Sequence, residues 1–125
     1  MRLSIVTFLH PATEPRDRPL GRVVDYVRRI EKSGFPGIWV TDSLGRGRPT
    51  LDPLVVLGVL SAATQRVELG TAVLQVSLRN PIELAHRVQS VQALSGGRLR
   101  LGVGSGSTRA DFDLLGADYV SASAP

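Results

Sequence analysis

Three side chains stand just after apolar runs and have the chemistry for proton transfer or ligand contact: His10, Asp42 and Ser43. His10 follows LSIVTFL and opens the loop HPATEPRDRP, where an imidazole can serve as a general acid or base, or stand in solvent as an ordinary loop histidine. Asp42 and Ser43 follow GIWVT. A carboxylate there either meets a ligand or makes a helix cap or loop hydrogen bond. A further segment, GVGSGS at residues 102–107, has a backbone free to approach a flat or anionic ligand, with hydroxyls from Ser105, Ser107 and Thr108. Its G-x-G-x-G spacing, with no helix opening directly after it, departs from the dinucleotide fingerprint, and a tight turn into the last helix is an equal reading.

These candidates must be placed by the elements before them, and the chain repeats one phrase four times: a β-rich run, a loop and a capped helix. The runs open near Leu3, Gly37, Val67 and Leu99, about 32 residues apart, the length of one strand-plus-helix unit with parallel pairing. The first run, residues 3–8, reads as a buried strand. Leu20, Val23, Val24, Val27 and Ile30 recur at helical spacing, and Gly34 ends that helix. Asp52-Pro53 starts a second helix, residues 54–64, apolar on nearly every side and so expected to be covered on both faces, by the sheet and by other protein. Asn80-Pro81-Ile82-Glu83 predicts a third start with a closed capping box. Residues 98–103 form the fourth strand, Thr108 or Ser107 caps a short helix over 110–115, and residues 120–125 form a frayed tail. In parallel α/β folds the loops after the strands' carboxyl ends gather on one rim, where ligands bind. A closed eight-stranded barrel needs about 250 residues, so four units make either a small open sheet or half of such a barrel.

Composition narrows the function classes. Fifteen Lys+Arg against eleven Asp+Glu give +4, and the cations, all but one of them arginine, are scattered among acids. No basic stripe with interleaved aromatics marks a nucleic-acid partner. The chain has no cysteine and two histidines, His10 and His86, which argues against disulfides and a zinc centre and suits a cytoplasmic location. No apolar stretch approaches the roughly 20 residues of a membrane span.

The string VELGTAVLQVSLRNPIELAHRVQSVQALSGGRLRLGVGSG, with GFPGIWVTDSLG before it and DFDLLGADY after it, resembles the amino-terminal half of the luciferase-like monooxygenase family. The resemblance covers residues 1–119 and implies half of a TIM-type (β/α)8 barrel in a flavin- or deazaflavin-dependent oxidoreductase or monooxygenase acting on a small organic substrate. It implies reduced flavin mononucleotide (FMN) or a deazaflavin as cofactor, with the ring against Thr71, Ala72 and Val73, and a cis peptide at Ala72-Val73 as a family trait. Gly104, Ser105, Gly106 and Ser107 match the segment on the ribityl side, and Asp42 matches an acidic residue beside ring and substrate. Many members have a histidine where this chain has Ser43, which leaves proton transfer to Asp42, His10 or water. The family's later strands, which carry the phosphate site, are missing from the match, so a truncated form is expected. The open sheet edges then call for the missing carboxy-terminal half or for self-association as a dimer, and a non-catalytic half barrel is the alternative function.

Overall fold

Each apolar run pairs with the next one in the chain. The structure, a computed structural model, describes residues 3–7, 19–44, 47 and 50–119. Strands β1 (Ile5–Thr7), β2 (Gly37–Val40), β3 (Glu68–Gln75) and β4 (Leu99–Gly104) form one sheet in the order β1-β2-β3-β4. All three pairings are parallel, with Ile5 beside Ile38, Ile38 beside Leu69 and Leu69 beside Leu99. Parallel neighbours need a crossover, and helices supply it: α1 (Pro19–Lys32), α2 (Pro53–Ala63) and α3 (Pro81–Leu94), with the short α4 (Arg109–Leu115) after β4. The expected α/β architecture of successive parallel units is therefore the observed one.

Alternation along the strands sends one set of side chains toward the helices. Ile38, Val40, Leu69 and Leu99 are buried there with Val27, Ile30, Leu54, Leu57, Leu60 and Val91, and Leu74 joins them because an irregularity between Thr71 and Leu74 resets the alternation of β3. The all-round apolar character of α2 has an internal cause, since α1 and α3 flank it while the sheet lies beneath. Only positions such as Val55 and Ala62 still face outward. Among the described residues no helix is long and apolar enough to cross a membrane.

The helix starts follow their caps. The Asp52 carboxylate accepts from the N–H groups of Leu54 and Val55 at 2.9 and 3.1 Å, and the Asn80 side chain accepts from Ile82 and Glu83 at 2.9 and 3.2 Å. The expected capping box does not close. Glu83 pairs instead with Arg87 one turn on, an i,i+4 partner that engages the carboxylate the box would have used. Thr108 holds the N-cap position of α4, but its hydroxyl does not cap the helix.

Two charged residues stitch the amino-terminal end of the sheet. The Glu31 carboxylate accepts from the backbone N–H groups of Gln65, Arg66 and Val67, the last two at 2.7 and 3.0 Å. Burial works against its ionisation, but those amides and the charge of Arg66 outweigh burial and hold its pKa below the ordinary glutamate value. The Arg98 guanidinium donates to the carbonyls of Ser61, Thr64, Val67 and Ser95 and to the Thr64 hydroxyl. That fixed end lies opposite the rim onto which the loops after the strands open.

Candidate functional site

On the sheet face away from the helices, glycines keep the floor flat. A Cβ on Gly70 would sit 2.3 Å from the Trp39 ring, so the indole lies directly over that glycine. Toward the carboxyl ends Val73 takes the equivalent place: Cβ atoms on Gly104 and Gly102 would come within 2.7 and 3.8 Å of its methyls. The peptide between Ala72 and Val73 is cis, and the register of β3 against β4 shifts between Thr71 and Leu74. Val73 stands 45% exposed on this face, while Ala72 is half-buried. The Thr71 side chain is buried, its hydroxyl donating to the Gly102 carbonyl at 2.7 Å and accepting from the Gly102 N–H at 3.1 Å. Thr71 thus fastens β4 to β3 just below the exposed valine.

Asp42 follows β2, and its side chain is only 1% exposed. One oxygen accepts from the Gln75 N–H at 2.9 Å, and the Arg79 guanidinium straddles the carboxylate with contacts of 3.0 and 3.1 Å. Arg79 also reaches the Asp52 carboxylate at 3.4 Å, so the cap of α2 joins the same ion pair. Arg79 sits between the 3-10 turn Val76–Leu78 and the cap of α3, which brings its side chain back to Asp42 at the exit of β2. Such a two-point guanidinium grip orients a carboxylate. Asp42 is therefore placed to orient its surroundings, with its acceptor positions taken up by protein donors.

Ser43 keeps its hydroxyl buried without a partner among the described residues, while its carbonyl accepts from the Thr50 hydroxyl. Ser105 and Ser107 are exposed, Gly104 and Gly106 are half-buried, and the Tyr119 hydroxyl donates to the Ser107 carbonyl at 3.2 Å. Gly104 pairs with Gln75 in the ladder, so the segment 104–107 leaves the sheet beside Val73 and near Asp42. Of the expected site residues, Asp42, residues 71–73 and residues 104–107 lie on one rim. His10 lies outside the described residues. Three partners were not marked by the sequence: Gln75, Arg79 and the fully buried Asp111. A glutamine closing an apolar strand and an arginine directly before a helix cap were the available signals.

A family model described as luciferase-like monooxygenase matches residues 1–123. The 4-hydroxyprotoasukamycin monooxygenase of Streptomyces nodosus subsp. asukaensis is 31% identical over 121 residues, covering 94% of this chain and 33% of that protein. The F420-dependent glucose-6-phosphate dehydrogenase of Amycolatopsis mediterranei (strain U-32) is 32% identical over 110 residues, covering 84% of this chain and 32% of that protein. Among solved structures, the oxygenating constituent of 3,6-diketocamphane monooxygenase from the CAM plasmid of Pseudomonas putida, in complex with FMN, superposes with a TM-score of 0.78 at 14% identity, covering 93% of this chain and 32% of that one. The chain spans about a third of the length of the curated relatives it matches.

Proposed function

Since this chain belongs to the luciferase-like monooxygenase family, we propose that it forms the amino-terminal part of an oxidoreductase that binds a reduced flavin or deazaflavin and acts on a small organic substrate. The observation that carries the reading is the exposed Val73, set over two glycines of β4 and beside the hydroxyl-rich segment 104–107. These residues fit a planar ring with a polar side chain: the valine offers an apolar contact to one ring face, and Ser105 and Ser107 offer exposed hydroxyls. One relative is named for F420, a deazaflavin, and one structural neighbour holds FMN, which supports this cofactor class and leaves the choice within it to experiment.

When bound, such a group supplies the electrons or hydride for the redox step. The protein's share is position. Val73 and the flat glycine floor set where the ring rests, residues 104–107 hold its polar arm, and Asp42, gripped by Arg79, keeps the β2 exit in place. With its carboxylate engaged by Gln75 and Arg79, Asp42 acts in this reading as an orienting group near the ring, and proton transfer falls to water or to groups of the whole enzyme. The edges β1 and β4, with Leu101 and Val103 exposed on the latter, would be covered by further units of the same barrel or by self-association.

Fluorescence titration tests the reading. Added FMN or a deazaflavin coenzyme is quenched saturably by the full chain, and Val73→Asp weakens the binding at least about tenfold by placing a charge against the ring. Quenching that is absent for both coenzymes, or equal in the variant, contradicts it.

A further inference from the structure

We propose that Gln75 is a positioning residue that latches the segment 104–107 to the ends of β2 and β3. What the segment is for rests on the coenzyme reading above; the latch itself rests on geometry alone. Gln75 is 4% exposed, and its side-chain Nε2 donates to the Asp42 carbonyl at 3.2 Å and to Asp111 Oδ2 at 3.0 Å. Asp111, at 0% exposure, accepts the Leu44 N–H through Oδ1 at 3.1 Å. One amide thus joins the β2 exit, the end of β3 and the first turn of α4.

Both ends of the arc from Gly104 to Asp111 are fastened to this one residue. Gly104 pairs with Gln75 in the ladder, and Asp111 takes its side-chain N–H. The amide orientation is fixed, because turning it over would aim Oε1 at two acceptors. In the observed orientation Oε1 is buried without a partner among the described residues and faces Gly106, where a Cβ would lie 2.8 Å from it and 3.1 Å from the Phe112 ring. Gly106 has φ +86°, so a glycine is required there on both counts. The segment therefore meets Gln75 at Gly104 and again at Gly106, and the arc that continues it is held at Asp111.

A donor–acceptor swap separates this role from general packing. Gln75→Glu removes the donor and sets a second carboxylate against Asp111. In the double variant Gln75→Glu/Asp111→Asn, the amide introduced at position 111 can still accept from Leu44 through its oxygen while its nitrogen donates to the carboxylate introduced at position 75. Amide hydrogen exchange on the coenzyme-free full chain reads the result. The single variant is expected to raise exchange about tenfold at Leu44 and Asp111, whose amides are hydrogen-bonded at the latch, while the β2 amides keep their protection, and the double variant to recover protection at both, the contact to the Asp42 carbonyl being lost alike in the two variants. Unchanged exchange in the single variant, or no recovery in the double, overturns the latch. If the single variant does not fold, the double decides alone: folded with native protection supports the proposal, and unfolded overturns it. FMN titration of the same proteins keeps the two readings apart. Should the unaltered chain bind neither FMN nor a deazaflavin while the swap restores protection, the coenzyme reading falls and the latch stands.

Discussion

The Arg79 guanidinium straddles Asp42 and touches Asp52, so removing it leaves a buried carboxylate with the Gln75 N–H as its remaining donor among the described residues. Arg79→Met is expected to cost about 3 kcal/mol in urea unfolding, the range for breaking one partner of a buried pair, and Arg79→Lys to recover part of it, since an ammonium cannot make the two-point grip. An effect below about 0.5 kcal/mol, the value of an exposed pair, contradicts this role. Glu31 gives a pH test. A carboxyl whose folded-state pKa is lowered contributes stability that is complete above its unfolded value of about 4.3 and is lost as pH falls through the folded value. Glu31→Gln should therefore lower stability at neutral pH and flatten its decline below about pH 5; an unaltered slope contradicts the role of the three amides. Asp42 was legible as a rim residue because a strand signal ended directly before it. Its surroundings were not, because Gln75 and Arg79 meet it, and Asp111 meets Gln75, only through the packing of three separate units, and no local spacing encodes that.

Gly102 and Gly104 of β4 leave no room for a Cβ against β3, and the two differ in what they face. A Cβ on Gly102 would lie 2.3 Å from the Thr71 carbonyl oxygen, which is backbone in a paired strand, whereas one on Gly104 meets a Val73 methyl at 2.7 Å. Gly102→Ala should cost about 3 kcal/mol and Gly104→Ala about 1 kcal/mol in thermal or urea unfolding, since a side chain yields more readily than a ladder. Equal costs would contradict the difference. Strands, caps and their order were readable from period and punctuation, and the helices began where Asp52-Pro53 and Asn80-Pro81 said they would. Boundaries moved where a side chain had other work: β4 begins at Leu99, one residue later than expected, with Arg98 occupied at the clamp. The turn Val76–Leu78 carried no signal, since VSL continues an apolar run that the structure bends to bring Arg79 to Asp42.

Four parallel strands in sequential order, with the helices packed against one face and an apolar residue exposed over glycines on the other, make up half of a (β/α)8 barrel. The spacing of the units allowed an open sheet or half a barrel, and it was the likeness of the strings around residues 67–106 to a known family that favoured the barrel. Family membership and the superposition on an FMN-bound structural neighbour agree with that reading of the fold. Titration of the isotopically labelled full chain with FMN and with a deazaflavin coenzyme, followed by amide chemical shifts, is the most direct test of where this rim binds. Shifts are expected to concentrate at Val73, Leu74 and residues 104–107, with the Glu31 and Arg98 end of the sheet silent. Shifts centred on that opposite end, or none with either coenzyme at saturating concentration, would contradict a coenzyme site on this rim.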